Sequence, residues 1–176
     1  ALERAGFKEV EDKRKCFVLK KALAETASTS AIVAVPHAGG LVVDYILDHD
    51  SEEIPAQRVS FCLSEEVFSK EIAPARTFVL EAEARALLKA GYGRGANTEN
   101  TLVVGPEGVL DNTLRFPDEF ARHKVLDLLG DLCLLGVDLV ARIVGVRSGH
   151  KLNALLVKRL AEELKSVNAQ DFDRMR

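Results

Sequence analysis

RFPDEFARHKVLDLLGDLCLLG, residues 115–136, reads as one long amphipathic helix running from about Pro117 to Leu135. Val125, Leu126, Leu128, Leu129 and Leu132 recur at helical spacing and form its buried stripe. His123, Asp127 and Asp131 follow one another at intervals of four. A helix turns about 100° per residue, so such positions drift only about 40° per step and share a face. A helix that keeps three polar groups in file beside its apolar stripe needs a sheet to cover and a reason for the file.

The sheet is written on both sides of it. Downstream, DLVARIVGVRSG predicts a strand, and HKLNALLVKRLAEEL predicts a closing amphipathic helix. Upstream, CFVLKKALAE and AQRVSFCL read as strands, and TSAIVAVPHAGGLVVDYIL reads as two strands around a hairpin turn at PHAGG, residues 36–40. SEEVFSKEIAPA predicts a helix with Ser64 as N-cap and Pro74 as its stop. EAEARALLKAG is a short helix ended by Gly91, and NTLVVGPEGVL is a hairpin turning at Gly105 to Gly108. GYGRG, residues 91–95, lacks a following Lys-Ser/Thr, and reads as a helix stop and turn rather than a phosphate loop. The order predicts an α+β protein: a two-layer α/β sandwich, its mixed or antiparallel sheet covered on one face by two long helices. The first-half strands and the hairpin are expected in one sheet, with the tail NAQDFDRMR frayed.

With 176 residues, 47% of them hydrophobic, the chain can bury a real core. A net charge of −3 without a basic run excludes the electrostatic footprint of a nucleic-acid binder. Cys16, Cys62 and Cys133 are odd in number and scattered, which argues against disulfides or a cysteine zinc site and fits a reducing compartment, the cytoplasm. No apolar run approaches the roughly 20 residues of a membrane span, so a soluble protein is expected. The start ALERAGF reads as the last turns of a helix stopped at Gly6, and is expected to be the cut end of a longer protein.

A polar file on a helix is often a solvated face, and an i, i+4 His/Asp pair also makes ordinary surface hydrogen bonds. The metal reading has its own logic: a neutral imidazole and a carboxylate one turn apart can both reach one Zn²⁺. Two ligands make no catalytic site, which wants three plus an open position. His150 follows a strand through Ser148 and Gly149, a setting that presents a side chain at an element end. A carboxylate from Asp131 would fix its tautomer and favour an imidazolium able to protonate a leaving group. His37 and His49 sit in turn and loop surroundings and are not promoted to the site.

DEFARHKVLDLLGDLCLLG, the upstream ARTFVL and the downstream RSGHKLNALL together resemble the second domain of the UDP-3-O-acyl-N-acetylglucosamine deacetylases, the zinc amidases of lipid A biosynthesis. The resemblance spans about Ala73 to Leu160 in three ordered motifs, with a looser match before it. It implies that His123 and Asp127 are zinc ligands and that Asp131 pairs with His150, the general acid that faces the oxyanion. It implies also that Thr77 hydrogen-bonds the scissile carbonyl region, that Phe78 packs on the sugar, and that Lys124 contacts the UDP-sugar acyl substrate. The organisation it implies is the end of a linker helix from an N-terminal domain over 1–10, a C-terminal deacetylase domain over 11–167, and a tail over 168–176.

Some positions depart from the family pattern. Val79 stands where a glycine usually follows Arg-Thr-Phe, GAN at residues 95–97 replaces a Gly-Gly-Ser loop, and Lys151 replaces an alanine. These bear on the acyl chain or sugar contacts more than on the metal. The family's third zinc ligand, a histidine, and its general base, an adjacent glutamate, lie in the first domain, and no Glu-His pair occurs here. The chain is expected to hold half of an active site, to be inactive alone, and to bare an apolar strip where its partner domain sat. The alternatives are a degenerate module that binds a UDP-sugar or lipid, or a zinc amidase for another substrate.

Overall fold

The protein is described by a computed structural model covering residues 5, 6, 8 and 15–173, with side chains followed to residue 166. In order, the elements are β1 (Cys16–Val18), β2 (Leu23–Ala27), β3 (Ser30–Val35), β4 (Leu41–Leu47), β5 (Gln57–Cys62), α1 (Glu65–Val67), β6 (Thr77–Leu80) and α2 (Glu81–Lys89). Then follow β7 (Thr101–Gly105), β8 (Gly108–Val109), α3 (Glu119–Leu132), β9 (Asp138–Val146) and α4 (His150–Asp173). α1 passes into a π-helical turn over Phe68–Ile72, and α3 tightens into a 3₁₀ turn over Cys133–Leu135 before Gly136 at φ 66°. The fold is α+β.

β9 organises the main sheet. Its residues alternate between the two faces, so Leu139, Ala141 and Ile143 turn inward. The strand order is β2-β3-β9-β4-β5, with β1 also paired to β9. β9 runs antiparallel to β3 and parallel to β4, with Tyr45 opposite Gly145. The turn at residues 36–40 is therefore no hairpin: β3 and β4 are kept apart by a strand that arrives a hundred residues later. Locally the turn is as expected, with Gly40 at φ 89° and the Gly39 N–H donating to His37 Nδ1 at 3.1 Å. CFVLKKALAE forms two short strands, β1 and β2, rather than one.

α3 and α4 lie side by side on one face of this sheet. Val125, Leu128 and Leu132 of α3 and Leu152, Leu156 and Leu160 of α4 meet Ile32, Val43 and Ile143 in a continuous buried core. Leu126 and Leu129 are only partly buried at its edge. β6, β7 and β8 form a second sheet, with β6 parallel to β7 and α2 between them in sequence. The hairpin therefore does not extend the main sheet: β7 is claimed by β6, whose four residues it matches in register. Ser64 caps α1 by accepting from the Val67 N–H, and Gly91 at φ 83° follows the end of α2. Ala5 is helical and Gly6 takes φ 79°, while the rest of the expected linker segment lies outside the described residues. α4 stays helical to Asp173, past residue 168 where a frayed tail was expected. Among the described residues no helix is long and apolar enough to cross a membrane.

Candidate active site

The file on α3 divides into two pairs. His123 Nε2 lies 3.5 Å from Asp127 Oδ1. Its other nitrogen, Nδ1, is 3.4 Å from the carbonyl of Ala75. A carbonyl only accepts, so Nδ1 carries the proton and Nε2 turns its lone pair toward Asp127. Burial pushes the His123 imidazole below its ordinary value despite the opposing pull of Asp127, so the ring is neutral at neutral pH. Lys124 donates to Asp127 Oδ2 at 2.8 Å, which places an ammonium on the carboxylate's second oxygen.

One turn on, Asp131 accepts from His150 Nδ1 at 2.9 Å through Oδ2 and 3.1 Å through Oδ1. The Nδ2 of Asn153 donates to the same Oδ2 at 2.9 Å. The carboxylate thus fixes the His150 tautomer and leaves Nε2 facing outward, 4.0 Å from Asp127 Oδ2. His150 begins α4 with its side chain 68% exposed, so it is held by Asp131 and by the backbone turn before it. The Nε2 atoms of both rings converge on Asp127.

β6 brings the next residues. Thr77 is exposed at its start, and Phe78 packs on Phe120 with centroids 4.9 Å apart and presents itself edgewise to His123 at 6.1 Å. This strand is tied to α3 by a buried ion pair. Arg76 donates from Nε to Glu119 Oε1 at 2.8 Å and from Nη2 to Oε2 at 3.0 Å, with both side chains almost fully enclosed. The remaining guanidinium donors reach Thr98 O, Asn112 Oδ1 and Thr113 O, and the backbone N–H groups of Arg76 and Arg115 also donate to Glu119. Burial pushes the Glu119 carboxyl up, but these hydrogen bonds outweigh it and hold the group below its ordinary value of 4.5. A carboxyl whose value falls on folding stabilises the protein fully above its unfolded value and loses that contribution as pH drops through the folded one. The destabilisation caused by Glu119→Gln should accordingly be largest at neutral pH and shrink below pH 4.5, which urea unfolding of both proteins at a series of pH values would measure.

Two hollows meet at Thr77 and Phe78. The first, a polar cleft of about 410 Å³, is lined by His123, Lys124, Asp127 and Thr77 on one side and by Tyr45, His49, Arg147 and Ser148 on the other. The second is an apolar groove of about 500 Å³ over the small sheet, lined by Val79, Ala84, Leu87, Leu88, Val103 and Leu110 among others. Leu87, Leu88 and Tyr92 stand exposed on the segment that borders this groove.

Of the residues singled out in the sequence, His123, Lys124, Asp127, Thr77 and Phe78 line this cleft, while His150, paired with Asp131, adjoins it through the 4.0 Å approach of its Nε2 to Asp127. Sequence reasoning assigned no role to Tyr45, Arg147, Arg76 and Glu119, although the last three fall within the quoted motifs. His49 does line the cleft, but its Nδ1 accepts from the Ser51 N–H at 3.0 Å. A neutral imidazole nitrogen and a carboxylate oxygen that face each other without an intervening proton make a donor set that a divalent cation satisfies. Among the described residues no group of three His, Cys, Asp or Glu could hold a metal, and His123 with Asp127 offers two donors.

Comparison with known proteins agrees along most of the chain. Residues 1–162 match the family model described as UDP-3-O-acyl N-acetylglycosamine deacetylase. A UDP-3-O-acyl-N-acetylglucosamine deacetylase of Aliarcobacter butzleri is 36% identical over 173 residues, 98% of this chain and 58% of that protein. Proteins of the same name from Anaeromyxobacter sp. (strain Fw109-5) and Chlamydia felis are 35% and 47% identical over 160 and 126 residues, 90% and 70% of this chain. The matches cover 52% and 45% of those two proteins, so the chain spans about half the length of the curated relatives it matches. With its two His–Asp pairs, its cleft and this sustained similarity, the chain belongs to the UDP-3-O-acyl N-acetylglycosamine deacetylase family.

Proposed function

We propose that this chain is the C-terminal half of a zinc-dependent deacetylase that hydrolyses the N-acetyl amide of a UDP-3-O-acyl-N-acetylglucosamine, a step of lipid A assembly in the cytoplasm. The observation that supports it best is the approach of both His123 and His150, the latter held by Asp131, to Asp127 at the wall of a polar cleft that adjoins an apolar groove. His123 and Asp127 would hold the metal, together with a third ligand from outside the described residues. Zn²⁺, when bound, supplies a Lewis acid for the amide carbonyl.

The chain's own groups perform the rest of its share. Thr77, exposed at the junction of cleft and groove, donates its hydroxyl to the scissile carbonyl region and steadies the developing oxyanion. His150, held by Asp131 through Nδ1, gives a proton from Nε2 to the leaving amine as the C–N bond breaks. Phe78 offers a flat apolar surface to the sugar, and Lys124, beside Asp127, offers an ammonium for substrate contact. The acyl chain lies in the groove, where Val79 contributes a side chain that the family's usual glycine lacks. The general base, an adjacent glutamate by resemblance, comes from the N-terminal domain that the expected 1–10, 11–167 and 168–176 organisation calls for.

The test uses this chain alone and joined to the N-terminal half of a relative, measuring bound zinc and acetate release from the UDP-sugar. Alone it should bind zinc weakly and release no measurable acetate, and joined it should do both. Robust turnover by the isolated chain would overturn the half-site reading. A joined protein that binds the UDP-sugar and releases no acetate would favour a binding module instead.

A further inference from the structure

The turn that delivers His150 rests on a residue for which the chemistry so far has no use. After β9 the chain reverses through Arg147, Ser148 and Gly149 into α4. Arg147 takes φ 52°, a left-handed conformation that a residue with a Cβ adopts only when its surroundings impose it. Three contacts do so. The Arg147 N–H donates to the carbonyl of Ile46 at 3.0 Å, its guanidinium reaches Asp48 and Asp50, and the hydroxyl of Tyr45 donates to the carbonyl of Ser148.

Of the three, the Tyr45 contact is the buried one. Tyr45 is 1% exposed and Ser148 2%, whereas the carboxylates that hold Arg147 lie at the surface. The ring has room because its partner across the strands is Gly145, where a Cβ would sit 2.8 Å from Tyr45 Cδ2 and 3.0 Å from Ser148 Oγ. Burial raises the Tyr45 hydroxyl to about 12, so it remains a donor across the working range. A buried carbonyl deprived of this donor would have to turn elsewhere for a partner, and His150 lies two residues further on.

We propose that Tyr45 is a positioning residue: its hydroxyl, acting through the Ser148 carbonyl, fixes the turn over residues 147–149 and with it the placement of the His150 imidazole against Asp131. The catalytic part of this inference rests on the reading of His150 as proton donor, whereas the structural part stands without it. Phenylalanine keeps the ring and removes only the donor, so Tyr45→Phe separates positioning from packing.

The experiment compares wild type, Tyr45→Phe and Gly145→Ala, the last of which displaces the ring while leaving its hydroxyl intact. In this chain, amide exchange at Arg147, whose N–H bonds the Ile46 carbonyl, should quicken about tenfold in both variants, with new nitrogen shifts for the His150 ring and unchanged exchange in β5. In the joined, zinc-loaded protein, kcat should fall about ten- to a hundredfold with KM within about twofold and metal content unchanged. Unchanged exchange and ring shifts in Tyr45→Phe would overturn the proposal, as would a loosened turn with undiminished kcat. A rise in KM at constant kcat would also overturn it, since that marks a substrate contact instead. Should the joined wild-type protein prove inactive, the proposed function fails and the exchange and shift data alone decide whether Tyr45 holds the turn.

Discussion

Arg76→Leu should destabilise the protein by about 3–5 kcal/mol, because it leaves the fully enclosed carboxylate of Glu119 without its partner. For a chain of this size that corresponds to a loss of roughly 6–20 °C in Tm. The cost is dominated by the stranded charge rather than by the lost pair, so a double variant, Arg76→Met with Glu119→Leu, should recover much of the loss. Thermal unfolding of the two variants beside wild type tests this. If the double variant were as unstable as the single, the hydrogen bonds of Arg76 to Thr98, Asn112 and Thr113 would outweigh the ion pair. Those bonds fasten the loops of the small sheet, so Arg76→Leu should also loosen the groove before the main sheet unfolds.

The second large effect is a division of labour between His123 of α3 and His150 at the start of α4. In the joined, zinc-loaded protein, His150→Ala should lower turnover by about 10²- to 10⁴-fold while leaving the metal in place. His123→Ala should lose the metal and, with it, activity. Metal analysis beside acetate release distinguishes the two. Retention of zinc by both variants would show that His123 is no ligand, and loss of zinc from His150→Ala would place that residue on the metal. Asp131→Asn should resemble His150→Ala in kind and be milder, since it spoils the tautomer and orientation of a ring that remains present.

The elements that were legible in the sequence are those whose signals are local. The helix α3, the strand β9, the Ser64 cap and the glycine stop at Gly91 are each signalled by neighbouring residues and formed as expected, although Leu126 and Leu129 of the expected stripe sit only partly buried at the edge of the core. The polar file was legible for the same reason, since helical spacing alone puts His123, Asp127 and Asp131 on one face. Strand pairing was not legible. PHAGG has the residues of a hairpin turn, and nothing within it reveals that β9 will separate the strands it joins. The parallel match of β6 to β7 likewise depends on a crossover that hydrophobic pattern cannot register. Arg76 and Glu119 lie 43 residues apart, and Tyr45 and Ser148 lie 103 apart, so these contacts exist only after the chain has folded. What remains hidden is the support of the site rather than its reacting groups.

The insertion of β9 between β3 and β4 also sets an order of assembly. Until that strand is available, β2 with β3 and β4 with β5 are two antiparallel pairs with no edge in common. Isolated strand pairs are marginal in water, and pairing that spans a hundred residues is slow. The sheet therefore closes late, when the segment that ends at Val146 enters its centre from the far end of the chain. His150 follows that segment by four residues, so the event that completes the core also brings His150 to Asp131. A nascent chain halted before β9 would hold His123 and Asp127 on their helix but neither a finished sheet nor His150, so the two His–Asp pairs would come together only as the fold becomes stable.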